Sequence, residues 1–441
     1  MNTETALETI ITTSTKAQII PPPFNAEQVA AIELMLAFLE DPDEFYFVLK
    51  GSAGTGKTYC IRELPNRIKG RIVYTATTNK ATKELRRSVT TKDYKPDCRT
   101  IFSLLGLRLE ASGEVKELSA PEDPVDLSSY RVVVVDESSM INENLRAFIK
   151  QAAEEHGCKF IFMGDPAQLP PVGEARSPIW RIKNGAELLK VERHDNQILA
   201  LATRIRNVVD HPAPTIRLLS DHDTDESQGV WLKSRKEFDQ MIRDEANIMG
   251  FSRQNGSKAI AWRNVTVDGL NKMIRDTIYD NPTEFWLPTD RVIFTSPAKD
   301  LDDETIATTD DEGEINRVDT EYHPIHGDCK IYRISITLDD GPVVVARVLH
   351  QESQLHYNRR CEELAAAAKS NGRLWGKFWD FKDAFHSLRH AYAVTAHRAQ
   401  GSTYDTAFVD YRDILLNRNR QEAYRCLYVA CTRPKRALVL G

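Results

Sequence analysis

Short apolar runs recur along the first half of the chain: FYFVL at 45–49, RIVY at 71–74, VVVV at 132–135 and FIFM at 160–163. Each is followed by a polar turn and then by residues spaced as on a helix. Runs of Val, Ile and Phe without alternation suit strands covered on both faces. Their alternation with helices predicts a parallel sheet with right-handed crossovers. A second set, at 259–262, 407–409 and 437–440, predicts a second α/β lobe. Ahead of the first strand, Asn25 suits a helix N-cap, and Val29, Ile32, Leu36 and Leu39 recur at helical spacing.

Two stretches break this pattern. Between Leu105 and Ser129 lies LRLEASGEVKEL, whose Ser112-Gly113 predicts a hairpin turn and a small insertion in the first lobe. From about 279 to 385, runs such as CKIYRISITL and GPVVVARVLH, joined by an Asp-Gly turn, predict a β-rich insertion in the second. The expected order is a mobile tail at 1–23, stiffened by Pro21-Pro22-Pro23, then a first lobe at 24–105 and 129–190 carrying the insertion 106–128. The second lobe is expected at 191–278 and 386–441, carrying the insertion 279–385.

Composition narrows the class. A chain of 441 residues, 41% hydrophobic and 28% charged, is that of a globular protein of two or three units. No apolar run approaches the roughly 18–20 residues of a membrane span. The opening MNTETALETI carries acids where a secretory signal carries Lys or Arg, so a cytoplasmic location is expected, the host cytosol if the chain is phage-encoded. Seven cysteines, an odd and scattered set without a C-x-x-C pair, predict reduced thiols. A net charge of −6 argues against coating nucleic acid by bulk electrostatics but leaves room for a local groove. Cations do cluster, at Lys80, Lys83, Arg86 and Arg87, at Arg204 and Arg206, and at Arg412, Arg418, Arg420 and Arg425. The acidic stretch 302–314 reads as a solvated loop without a role.

The most specific chemistry follows the first strand. Gly51-Ser52-Ala53-Gly54-Thr55-Gly56-Lys57-Thr58 is a complete G-x-x-x-x-G-K-T between a strand and a helix. Glycines let backbone N–H groups point at phosphate oxygens, and the helix N-terminus adds a favourable dipole. Lys57 supplies charge and Thr58 a hydroxyl for Mg²⁺. A second strand ends in Asp136-Glu137, where Asp136 is placed to hold Mg²⁺ and Glu137 to take the proton of an attacking water. A third ends in Gly164-Asp165-Pro166-Ala167-Gln168, whose Gln168 is a candidate sensor of the γ-phosphate and that water. A hydrolysed nucleoside triphosphate, ATP with Mg²⁺, is the expected substrate.

The order of these pieces resembles superfamily 1B DNA helicases of the Dda-like, RecD-related family, from Phe24 to the end. The resemblance implies two RecA-like lobes, a pin-bearing hairpin in the first and an SH3-like insertion or tower in the second. Phe24-Asn25-Ala26-Glu27-Gln28 is similar to the adenine-reading segment, with Gln28 on the base edge; Asn25 and Gln28 equally have capping-box spacing. Val191-Glu192-Arg193 with Ile205-Arg206-Asn207 resembles the motif whose arginine, here Arg193, reaches the γ-phosphate. The segment from Val394 to Thr403, with Thr395, His397 and Gly401, resembles the one joining ATP to DNA. Leu427 to Arg433 resembles the arginine-finger motif, with Arg433 as the finger.

For DNA, the resemblance implies contacts by Thr77, Asn79 and Lys80, by Thr100 and Phe102, and by Asn264. The family's Pro-Thr-His is here Thr77-Thr78-Asn79, and Phe102 stands where relatives carry His. The hairpin lacks the aromatic tip of the Dda-type pin. Trp375, Phe378 and Trp379 fall in the region that braces the pin or meets DNA. The implied activity is a DNA-stimulated ATPase and 5′-to-3′ helicase, a monomer acting on single-stranded DNA and single-strand/duplex junctions. A single-strand-binding or replisome protein is a further expected partner, and no membrane is. An RNA helicase, or a translocase that does not unwind, shares every nucleotide-site residue. A P-loop GTPase fits less well, because Thr82 stands where the guanine-reading motif begun by Asn79-Lys80 needs an acid.

Overall fold

The computed structural model describes residues 24–112, 115–121, 125–192, 197–211, 216–224 and 227–441. The expected tail at 1–23, the turn residue Gly113 and Arg193 lie outside them.

Strand Tyr46–Gly51 pairs in parallel with Lys159–Gly164 on one side and Gly185–Leu188 on the other. Tyr130–Asp136, Arg71–Ala76 and Asp97–Thr100 complete a six-stranded sheet, every pair of it parallel. Val132 to Val135 are fully buried, as expected of a strand covered by helices on both faces. Because the strands run the same way, the ends of Tyr46–Gly51, Tyr130–Asp136 and Lys159–Gly164 open onto one edge, where open α/β sheets carry their chemistry.

Helix Ala26–Glu40 starts at Asn25 with a complete capping box. Its buried face is Gln28, Ala31, Ile32, Met35, Phe38 and Leu39, so Val29, 46% exposed, lies off the stripe its spacing suggested. At its far end the Lys159 ammonium takes the carbonyls of Phe38, Asp41 and Glu44. A cation there satisfies the orphan carbonyls of the last turn and locks the helix to its strand.

The second sheet runs Ala393–Thr395, Ser257–Ala261, Tyr404–Val409, Pro434–Leu440, Gly229–Leu232 and Asp221–His222, parallel except at that last edge pair. Three of these strands, Ser257–Ala261, Tyr404–Val409 and Pro434–Leu440, overlap the apolar runs read from sequence, and the other three do not. Between the two halves of this lobe stands a five-stranded antiparallel sheet: Val343–Leu349, Lys330–Leu338, Glu312–Tyr322, Arg291–Phe294 and Leu388–His390. It reaches past residue 385 to take in its last strand.

The stretch 279–385 is not purely β-rich, since helices Gln354–Ser370 and Trp375–Asp383 fill its second part. The hairpin Arg108–Ser112 with Val115–Ser119 forms as expected, and helix Trp375–Asp383 lies near its first strand. Trp375, Phe378 and Trp379 stack edge to face with centroid separations of 5.4 and 5.0 Å. All seven cysteines are free, and no described helix is long and apolar enough to cross a membrane.

Asp290 is the electrostatic hub between the second and third sheets. Fully buried, it takes Arg275 Nε at 2.9 and 3.1 Å, Tyr392 Oη at 2.9 Å and Leu287 N at 2.8 Å. His390, 3.6 Å away, and Arg275 hold its carboxyl below the ordinary range although burial pushes the other way. Asp290→Ala would leave a buried guanidinium without its counter-charge, at a cost of about 3–5 kcal/mol. Urea unfolding followed by circular dichroism should show that loss; a change below about 1 kcal/mol, the ordinary range for an exposed pair, would contradict it.

Candidate nucleotide site and nucleic-acid groove

The phosphate loop is shaped by close approach. Gly54 and Gly56 adopt φ of 84° and 87°, the left-handed region where a Cβ is disfavoured. A Cβ on Gly56 would also lie 2.4 Å from Gln28 Nε2. Thr55 is fully buried, its hydroxyl donating to Ser52 O at 3.0 Å. Lys57 Nζ folds over the loop to Gly51 O at 2.7 Å and Ser52 O at 3.0 Å. Thr58 follows Lys57 at the head of helix Lys57–Ile61.

Gln28 is engaged at both ends of its amide. Its Oε1 accepts from Asn25 N at 3.1 Å, and its Nε2 donates to Thr55 O at 3.1 Å. With the residue 3% exposed and both ends of its amide engaged, Gln28 clamps the loop, so the capping helix and the nucleotide loop are one unit.

Asp136 and Glu137 sit at the end of the buried strand. Glu137 holds a left-handed φ of 51°, a conformation a non-glycine residue adopts only when its surroundings enforce it. Its backbone N–H donates to Asp136 Oδ1 at 2.8 Å. Removal from water and the charge of Glu137 push Asp136 up to about 7. A carboxylate so poorly compensated fits a divalent cation, and Asp136 with Thr58 would hold Mg²⁺, which neutralises phosphate charge when bound.

Gln168, 6% exposed, accepts from Gln400 Nε2 at 3.1 Å. The same Gln400 nitrogen lies 3.1 Å from Ser139 Oγ and 3.4 Å from Glu137 Oε2. Gln400 therefore bridges the second lobe to both Glu137 and Gln168. Three more side chains cross this seam. Arg425 Nη1 donates to Pro166 O and Gln168 O, both at 2.8 Å. Tyr428 Oη donates to the fully buried Asp165, which also takes Arg206 Nε at 3.3 Å. Gly401, at φ of 73°, packs so close to Ala81 that a Cβ would lie 3.3 Å from the alanine Cβ.

Arg433 is held to its own lobe by Val429 O at 2.9 Å, Ser402 O at 3.2 Å and Thr432 Oγ1 at 2.7 Å. Arg193 lies outside the described residues. Sequence reading missed Gln400, Arg425 and Tyr428 as bridging residues, although all three lie inside segments it singled out.

Next to the seam a cavity of about 720 Å³ is lined by Trp262, Asn264, Thr295, Arg389, Thr395, His397 and Arg398, among others. It gathers three of the expected nucleic-acid residues, Asn264, Thr395 and His397. Asn264 Oδ1 accepts from Arg389 Nη1 at 2.9 Å, and Thr395 Oγ1 caps its helix by accepting from Arg398 N at 3.3 Å. A smaller cavity of about 200 Å³ shares His397 and Arg398 and adds Thr78, Lys80 and Gln400. Burial pushes the His397 imidazole below its usual pKa, favouring its neutral form.

The remaining expected contacts do not line either cavity. Thr77 is buried with its hydroxyl 3.6 Å from Met140 Sδ, Asn79 opens helix Asn79–Val89, Thr100 caps helix Ile101–Leu104, and Phe102 packs partly against the core.

Residues 23–225 match the family model described as an AAA domain, and residues 390–440 the UvrD-like helicase C-terminal domain. The ATP-dependent DNA helicase dda of Enterobacteria phage T4 is 24% identical, over 88% of this chain and 92% of its own. Protein R530 of Acanthamoeba polyphaga mimivirus is 23% identical, over 94% and 99%. A solved structure of Pif1 helicases at forked duplex DNA shares the fold, with a TM-score of 0.51, 15% identity, and 95% and 92% of the two chains covered. Along most of its length the chain is thus similar to a Dda-type ATP-dependent DNA helicase, and it shares its fold with Pif1 helicases. The bridging Gln400 lies just beyond the start of the region matched to the helicase C-terminal domain, and the phosphate loop lies within the AAA match.

The clamp by Gln28 has a measurable consequence. Gln28→Ala should loosen the loop and weaken ATP and GTP to the same degree, about five- to tenfold for one lost buried hydrogen bond. Nucleotide titrations that show ATP weakened and GTP unchanged would assign Gln28 to the base edge instead.

Proposed function

We propose that the chain is an ATP-dependent DNA helicase that moves along single-stranded DNA with 5′-to-3′ polarity. One observation carries the reading: Gln400 touches Glu137 and Gln168, while two residues before it Arg398 lines the adjacent groove. A change at the γ-phosphate therefore has a path of two residues to the strand. The relative named as an ATP-dependent DNA helicase supports the same reading, and the polarity rests on the family resemblance.

In this mechanism Lys57 and the loop N–H groups grip the phosphates. Thr58 and Asp136 would hold Mg²⁺, which withdraws charge from the phosphoryl oxygens. Glu137 takes the proton of the attacking water, Gln168 orients that water, and Arg193 and Arg433 stabilise charge on the transferred group once the lobes close. Closure then presses Gln400 and its segment against the strand, coupling each turnover to movement. Single-stranded DNA and single-strand/duplex junctions are the proposed partners, the phosphates lying along Asn264, Thr395 and His397.

The decisive comparison is ATP turnover with single-stranded DNA, with single-stranded RNA and with neither. DNA should stimulate most, Lys57→Ala should lower turnover by roughly 10²–10³-fold, and a duplex with a 5′ single-stranded tail should be unwound. Preferential stimulation by RNA would favour an RNA helicase, and preference for a 3′ tail would refute the polarity.

A further inference from the structure

The acidic stretch does not end in a solvated loop. Asp310 Oδ1 lies 2.8 Å from Arg398 Nη1, and Asp311 Oδ1 lies 2.9 Å from Lys83 Nζ. The two carboxylate oxygens of Glu312 each lie 2.9 Å from an ammonium, Lys80 Nζ and Lys258 Nζ. Asp340, on the neighbouring turn of the same insertion, pairs with Arg87. Lys80, Lys83 and Arg87 stand at i, i+3 and i+7 along helix Asn79–Val89, which places them on one face. That face belongs to the first lobe, and its acids come from the second lobe's insertion except Glu84, which pairs with Arg87 within the helix.

The turn is built to present these acids. Asp310 holds a left-handed φ of 67°. The second oxygen of Asp311 accepts from Thr308 N at 2.7 Å and Thr308 Oγ1 at 2.8 Å, fixing the carboxylate toward Lys83. Glu312 opens strand Glu312–Tyr322 with its side chain 9% exposed, and pairing with the two lysines holds its carboxyl well below the ordinary range. Asp310 differs. Burial raises its pKa more than Arg398 and Lys80 lower it, which makes it a carboxylate with incomplete compensation. Its partners Arg398 and Lys80 both line the cavity next to Gln400.

A row of cations beside a groove attracts phosphate, and here the chain's own carboxylates already occupy it. We propose that the turn at residues 310–312 is an inter-lobe latch, in which Asp310 and Asp311 compete with nucleic-acid phosphates for Arg398 and Lys83. Strand binding then exchanges carboxylate for phosphate and frees the first lobe's helix from the insertion. Glu312, deeper and doubly paired, is the hinge pin of the latch. The inference rests on reading the groove as a nucleic-acid site.

The test is the double variant Asp310→Asn/Asp311→Asn in the full chain, binding fluorescent oligothymidylate across a salt series by anisotropy. Glu312 is left intact because its loss would strand Lys80 and Lys258. In the wild type each contested cation is neutralised before binding, so no counterion is released there. In the variant the freed cations carry counterions, and the slope of log K against log salt should steepen by about 0.7 for each, or about 1.4 for both. Affinity at low salt should rise several-fold. An unchanged slope with unchanged or weaker affinity, in a chain whose wild type binds, overturns the latch. A wild type that fails to bind oligothymidylate at any salt overturns the groove reading, and the latch with it. Should the double variant fail to fold, Asp310→Asn alone should steepen the slope by about 0.7, and no change there overturns the latch equally.

Discussion

The side-chain amide of Gln400 holds the two halves of the molecule in register. Buried between sheets, it reaches Gln168, Ser139 and Glu137, three residues that the chain delivers from the ends of two different strands. A buried amide without partners costs about 1–3 kcal/mol, so the lobes are drawn to the arrangement that satisfies it. Arg425 and Tyr428 reinforce that arrangement by bonding Pro166 O, Gln168 O and Asp165 on the far side. Glu137, Gln168 and the groove are therefore parts of one seam.

Electrostatics along the seam divide by depth. Asp165, paired with Arg206, and Glu312, held between Lys80 and Lys258, have their carboxylates withdrawn from water and join pieces of the chain distant in sequence. The shallower pairs, Asp311 with Lys83 and Asp310 with Arg398, remain within reach of solvent. Buried pairs resist screening by salt and shallow ones do not, which separates a structural group from an exchangeable one. The net charge of −6 thus conceals a local balance in which acids cover the cations that a nucleic acid would seek.

The placing of the candidate nucleotide-site residues at one sheet edge was legible from sequence because they are contiguous with their strands. The phosphate loop, Asp136-Glu137 and Gln168 each follow a buried apolar run, and a strand ending in a turn puts them where chemistry occurs. Residues whose meaning depends on distant partners were not legible: Gln400 meets Gln168 across 232 positions, and Lys80 meets Glu312 across the same separation. Helix Gln354–Ser370 escaped for a different reason, since only Ala368 of it is buried and no apolar stripe marks it. At Gln28 the capping box and a bond to Thr55 O in the phosphate loop use opposite ends of one amide, and the second of these contacts was in neither the capping nor the base-reading expectation.

If nucleotide and strand communicate through this seam, cutting its central amide should uncouple them. The direct measurement is the ratio of ATP turnover with saturating single-stranded DNA to turnover without it, in Gln400→Ala against the wild type. The ratio should collapse toward one while the variant still binds oligonucleotide. A ratio equal to that of the wild type would show that the signal travels elsewhere and contradict the account.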